Sequence, residues 1–186
     1  MDMYIDPRIV NGVDVAVVNE LIDRIDGEAA AAQFQFRVRN QWIEGGLNRS
    51  SIKEFYAAGK EDDTRKIPFV LDADEPPIMA SEDRAPNPAE FVLHALAGCP
   101  TTTMVYHAAV RGIVIDAIDS KVEGDLDVRG LLGLSTDVRK GFHHVRVTMR
   151  VESDASVKEL TELAEFSAVY DIVSQSLPVK LQIIKL

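Results

Sequence analysis

The sequence contains one cysteine, Cys99, in 186 residues. That count excludes an intrachain disulfide, a CxxC redox pair and an all-thiolate zinc site. Basic residues are also scarce: Lys and Arg number 20 against 30 Asp and Glu, a formal charge of −10. Nucleic acid and anionic membrane surfaces both reward clustered Lys and Arg, so neither is expected as the main partner. No long apolar run is present. The longest, Phe91–Cys99, is interrupted by His94 and is far too short to span a bilayer. The acidic stretch Met1–Asp26 has no apolar core flanked by basic residues and reads as neither signal nor transit peptide. A cytoplasmic protein is expected. The length suits one domain, with or without an added terminal element.

What is present is ordered periodicity. Val13, Val17, Leu21 and Val18, Ile22, Ile25 recur at helical spacing, with Asn11 available as a cap. Phe34, Phe36, Val38 and Trp42 then alternate with polar residues, which is the pattern of a half-buried strand. Gly45-Gly46 reads as a turn into a second strand over Asn48–Tyr56, and Ile67–Leu71 as a short third strand. Asp72–Pro88, with Pro76, Pro77, Pro86 and Pro88, reads as a long loop. Ala89–Arg111 is apolar on nearly every face, the signature of a buried helix.

The C-terminal half continues with a strand on Ile118, Val122, Leu126 and Val128 and another on His143, Val145, Val147, Met149 and Val151. Arg129–Gly141 connects them. Ser156 and Glu159 are spaced as a capping box for a last helix through Leu160, Leu163 and Ala164 towards Ile172 and Val173. Pro178 stops it, and Val179, Leu181 and Ile183 form a closing strand. Strands come in adjacent groups, so the expected class is α+β.

The chemistry centres on Cys99. Free cysteines are usually small core hydrophobes. Here Pro100 is expected to kink the helix or start a new segment, which would leave Cys99 at a helix N-terminus that favours a thiolate. Thr102, Thr103 and Tyr106 share its face, as pocket lining or as core. By spacing alone, Glu90 is a first-turn acid complementing the helix dipole. The histidines give no metal site. His94 and His107 are five before and eight after Cys99, and His143 and His144 point to opposite faces of one strand. No cofactor is expected.

Asn87-Pro88-Ala89-Glu90, followed by an apolar helix reaching Ala97-Gly98-Cys99, resembles the central-helix motif of the OsmC and organic hydroperoxide resistance family. Ser167-Ala168-Val169-Tyr170-Asp171, then Leu177-Pro178-Val179, resembles its second motif. The resemblance extends from about Gln33 to the C-terminus, giving an OsmC-like domain at 33–186 behind an N-terminal helical extension at 1–32. It implies an OsmC-like fold with an antiparallel-rich sheet around buried central helices, an intertwined homodimer and thiol peroxidases that reduce organic hydroperoxides in oxidative stress defence. It places Cys99 at the peroxidatic position and Glu90 at that of its acidic partner. An arginine from the N-terminal strands would hold the thiolate, with Arg49 the first candidate and Arg37 and Arg39 behind it. Arg fits because it stays cationic and bridges oxygens in a planar fork.

One position departs from that pattern: Ser167 stands where peroxidatic members carry a second cysteine. Serine cannot form the disulfide that resolves a sulfenic acid. The leading expectation is a one-cysteine hydroperoxide reductase, in which Cys99 attacks the distal peroxide oxygen, alcohol leaves, and an external thiol or dithiol reduces the sulfenic acid. The alternative is a non-catalytic OsmC-like dimer that binds a small apolar ligand. A generic α+β domain with Cys99 as packing is the third.

Overall fold

The computed structural model describes residues 8–175; the closing strand expected at Val179, Leu181 and Ile183 lies outside the described residues. The chain divides into two compact units, Asp14–Val92 and Met1–Val13 with Leu93–Leu186. Strands pair antiparallel and are interspersed with helices, which is the expected α+β class.

Ahead of the first helix, Ile9–Val10 (β1) and Val13–Asp14 (β2) form a small hairpin. Its turn puts Asn11 and Gly12 at φ 53° and 77°. Asn11 therefore does not cap the helix. Its side chain donates to the Ile113 carbonyl and accepts from the Ile115 amide, both at 2.9 Å. Asp14 caps instead, accepting from the amides of Ala16 and Val17, and α1 runs over Val15–Gly27.

In the Asp14–Val92 unit, each of the two long strands expected from periodicity breaks once. Gln35–Phe36 (β3) and Arg39–Glu44 (β4) replace the first; Leu47–Ile52 (β5) and Phe55–Ala57 (β6) replace the second. The breaks coincide, so one hairpin feeds two three-stranded sheets. The first has the order β3–β6–β7, where β7 is Lys60–Asp62; the second has the order β4–β5–β8, where β8 is Phe69–Ala73. β7 was not legible as a strand because Lys60, Glu61 and Asp62 carry no apolar alternation.

Asp72–Pro88 is less open than a loop reading suggests. Its first two residues belong to β8, Pro77–Met79 is a 3-10 turn, and Asp74 is fully buried. The Asp74 carboxylate accepts from the Ser81 hydroxyl, the Glu75 and Arg84 amides (2.9 and 3.1 Å) and the Arg84 guanidinium. The Ser81 contact leads in holding this carboxyl far below the usual range; burial opposes it and the Arg84 and Glu75 amides assist. Gly46 makes the arrangement possible: a Cβ there would lie 2.9 Å from Ser81 Oγ and 3.1 Å from Asp74 Oδ1.

α2 spans Pro88–Val110. In the other unit it is followed by Ala117–Asp125 (β9) and His144–Glu152 (β10), paired as a ribbon. Leu126, Val128 and His143, expected inside these strands, fall outside them. The expected connection contains a short helix, Val128–Leu131 (α3), capped by Asp127. Ile118, Val122, Val147, Met149 and Val151 share the inner face through the pairs Ile118–Val151 and Val122–Val147. Asp119–Arg150 and Asp125–Arg146 pair on the outer face.

The last helix is two. Val157–Glu165 (α4) begins with the expected Ser156–Glu159 capping box, and Ala168–Ser174 (α5) restarts after Phe166, with Ser167 as its cap. Met104 and Ala108 of α2 form the core with Leu160 and Leu163 of α4; Ile113, Ile115, Ile118, Met149 and Val151 pack around them. α2 buries Leu96, Pro100, Met104, Ala108 and Ala109, while Val92, Thr102 and Tyr106 stay exposed. Within the chain it is therefore buried along one side only.

Candidate functional site

Pro100 lies inside α2, which continues through it, so no new helical segment begins beside Cys99. The free amide donors expected there come from a different helix. The break between α4 and α5 brings Ser167 against the thiol, and the Ser167 side chain is 1% exposed. Its hydroxyl accepts from the Tyr170 amide at 3.1 Å, capping α5, and lies close enough to Cys99 to influence its ionisation.

The ionisation of Cys99 reflects a contest. Burial pushes the thiol up, while the Ser167 hydroxyl, the Val169 amide, the Thr103 hydroxyl and the Ala168 amide pull it down. The result lies below the ordinary thiol value, because donors aimed at the sulfur stabilise its charged form. Thr103 Oγ1 is 4.0 Å from the sulfur, one helical turn on. Thr102 and Tyr106, expected on the same face, point to solvent. Gly98 has open space where a Cβ would stand.

Two residues outside the sequence-based candidates belong to this neighbourhood. His107 and Phe166 stack, with ring centroids 4.4 Å apart and planes 20° from parallel. Arg111 reaches His107 Nδ1 at 2.9 Å and the His107 carbonyl at 2.9 Å. Cys99, Thr103 and His107 thus make an i, i+4 row along α2, which Arg111 continues just past the helix end. That row is a signal the sequence contained.

The other candidates lie in the Asp14–Val92 unit and have partners there. Arg49 forks onto Asp72 through Nε and Nη2, at 2.7 and 2.8 Å. The register explains it: Arg49 and Asp72 are directly opposite across β5 and β8. Glu90 accepts from the Asn87 amide while its own amide donates to Asn87 Oδ1, a reciprocal cap at the start of α2. Arg37 pairs with Glu61, and Arg39 borders a polar cavity of about 400 Å³ with Arg37, Ser51 and Lys53. Cys99 and Ser167 are brought together; Glu90 and Arg49 belong to the other unit.

Beside Cys99 in sequence, Pro100 helps line an open groove of about 350 Å³. Met104, Val147, Met149, Val151, Leu160 and Tyr170 form most of its wall. Thr161 and Glu165 are its polar members. Such a surface suits a small apolar molecule. Among the described residues no group of His, Cys, Asp or Glu is arranged to hold a metal ion, and no helix is long and apolar enough to cross a membrane.

A family model described as OsmC-like protein matches residues 81–183. No curated protein matches the chain significantly. Among solved structures, an OsmC-like protein from Mycoplasma pneumoniae aligns with a TM-score of 0.56 at 16% identity, over 76% of this chain and 89% of that one. An OsmC-like protein of unknown function from Vibrio cholerae aligns with a TM-score of 0.51 at 11% identity, over 74% and 92%. At these identities the likeness is one of fold.

Proposed function

The chain belongs to the OsmC-like protein family, and from this we propose that it is a member without two-cysteine turnover that binds a small apolar molecule in the groove between α2, β10 and α4. The observation that carries this is the residue packed on its one thiol: a buried serine, which cannot accept the disulfide. The groove beside Pro100 and Tyr170 supplies the binding surface. The engagement of Arg49 by Asp72 and of Glu90 by Asn87 supports the same reading, since both groups already have partners. In this reading residues 33–186 are the family domain behind the extension at 1–32, and the protein works in the cytoplasm as a homodimer.

A second reading is favoured by the donors around the sulfur. A thiol held below its ordinary value is a better nucleophile at neutral pH. Cys99 then acts as a one-cysteine hydroperoxide reductase in oxidative stress defence, its sulfenic acid reduced by an external thiol or dithiol, with Glu90 and Arg49 as assisting groups.

One experiment separates the two. The protein and its Cys99→Ser variant are given an organic hydroperoxide and dithiothreitol, and peroxide loss and the mass of Cys99 are followed. Equal consumption and an unmodified thiol are the expected result; turnover that depends on Cys99 overturns the binding reading in favour of the second. Binding itself is checked by displacing an anilinonaphthalene fluorophore with medium-chain alcohols. Thr161→Trp, which covers the groove from α4, should weaken the displaceable signal.

A further inference from the structure

The α4–α5 break raises the question of what holds Ser167 and the first amides of α5 on the sulfur. α5 is seven residues long and no residue of it is buried, so it has little packing of its own to fix its start. The chain immediately before it is fixed by a ring contact: Phe166 lies flat on His107, and His107 belongs to the same α2 row as Cys99. The His107 ring is in turn held from behind. A guanidinium can only donate, so Nδ1 accepts from Arg111 and the neutral ring carries its proton on Nε2. Burial, then the Arg111 charge, keeps the imidazole below its ordinary value, consistent with a neutral ring. Phe166 is itself 62% exposed, so the stack is its main anchor. A cavity of about 620 Å³ bordered by Phe166, Arg111 and Glu162 leaves the ring room to swing away once that anchor is lost.

We propose that His107 and Phe166 are positioning residues for Cys99: their stacked rings seat the α4–α5 junction on α2 and hold the Ser167 hydroxyl and the amides of Ala168 and Val169 against the thiol. The proposal rests on the activated-thiol reading of Cys99 given above. It requires ring against ring rather than a charge or a proton on His107, which makes the conservative and the disruptive substitutions diverge.

The test is the pH midpoint of Cys99 alkylation by iodoacetamide in the full chain, with folding followed by circular dichroism. Phe166→Ala and His107→Ala should move the midpoint upward, towards that of a free cysteine. Phe166→Tyr and His107→Phe keep the stack and should keep the midpoint. If Phe166→Ala does not fold, the pair His107→Ala and His107→Phe decides. A depressed wild-type midpoint that the folded alanine variants retain overturns the positioning role alone. An upward shift of equal size in His107→Phe and His107→Ala also overturns it, since the imidazole rather than the stack would then be responsible. A wild-type midpoint at the free-cysteine value overturns the activated-thiol reading itself.

Discussion

Ser167→Cys puts a second sulfur where the structure has a buried hydroxyl beside Cys99. The expected outcome is a chain that oxidises to a 99–167 disulfide. Such a bond closes a loop of 68 residues, and the chain-entropy model puts its effect at about 4 kcal/mol for that loop length. Against this stands the lost cap. Ser167 accepts from the Tyr170 amide at the start of α5, and removing a serine cap costs about 1 kcal/mol. The oxidised variant should therefore be more stable than the parent by about 3 kcal/mol, and the reduced variant less stable by about 1 kcal/mol. For a chain of this size the first figure corresponds to a melting temperature raised by roughly 6–12 °C. The assay is a thiol count and intact mass after one equivalent of diamide, a disulfide-forming oxidant, followed by melts with and without dithiothreitol. Two free thiols persisting after oxidation would refute the placement of Ser167 on Cys99, and with it the account of why this chain lacks the disulfide step.

Other perturbations follow from the same structure. Asp74→Asn should destabilise the protein at neutral pH, because the buried donors of Ser81, Glu75 and Arg84 lose their charged acceptor. The carboxyl is held far below its unfolded value, so its contribution is present above the unfolded pKa and fades as pH falls towards the folded one. Acid titration of unfolding should therefore show a shallower loss in the variant than in the parent. Gly130→Ala should cost about 1–3 kcal/mol, since the added Cβ would lie 2.5 Å from the Arg139 carbonyl oxygen and 2.7 Å from that of Val138; urea unfolding measures it. Leu163→Ala empties a buried core position between α2 and α4 and should cost about 2–5 kcal/mol by the same method.

Elements whose residues repeat at one clear period were legible in the sequence. The β10 register follows from the parity of Val145, Val147, Met149 and Val151, and the start of α4 from Ser156 and Glu159. The fold class and family followed from the order of elements and from the motifs around Glu90, Cys99 and Ser167. What was missed depends on tertiary partners. Nothing local distinguishes Asn11 from a helix cap until Ile113 and Ile115 are beside it. The apolar pattern of Leu160, Leu163, Ala164, Ile172 and Val173 runs through the α4–α5 break, which Ser167 marks only weakly as a cap. Pro100 signals a helix start by local rules, yet α2 passes through it, with the Thr101 hydroxyl donating to the Ala97 carbonyl in the same turn. For the site, Cys99 and Ser167 could be paired from motifs. His107 and Phe166 could not, because their contact depends on how α4 ends.

The buried Asp74 also bears on how this protein meets proteases. By composition, the proline-rich and acidic stretch from Asp72 to Pro88 is the segment one would expect to be nicked first. Cleavage after an arginine requires that side chain to enter the protease pocket while the flanking backbone is drawn out as an extended strand. Arg84 can do neither: its amide is held by Asp74, and its guanidinium by Glu44 and Asp74. Asp74 and Glu44 together thus close a tryptic site without covering it, and a cut at Arg84 records that the segment has come undone.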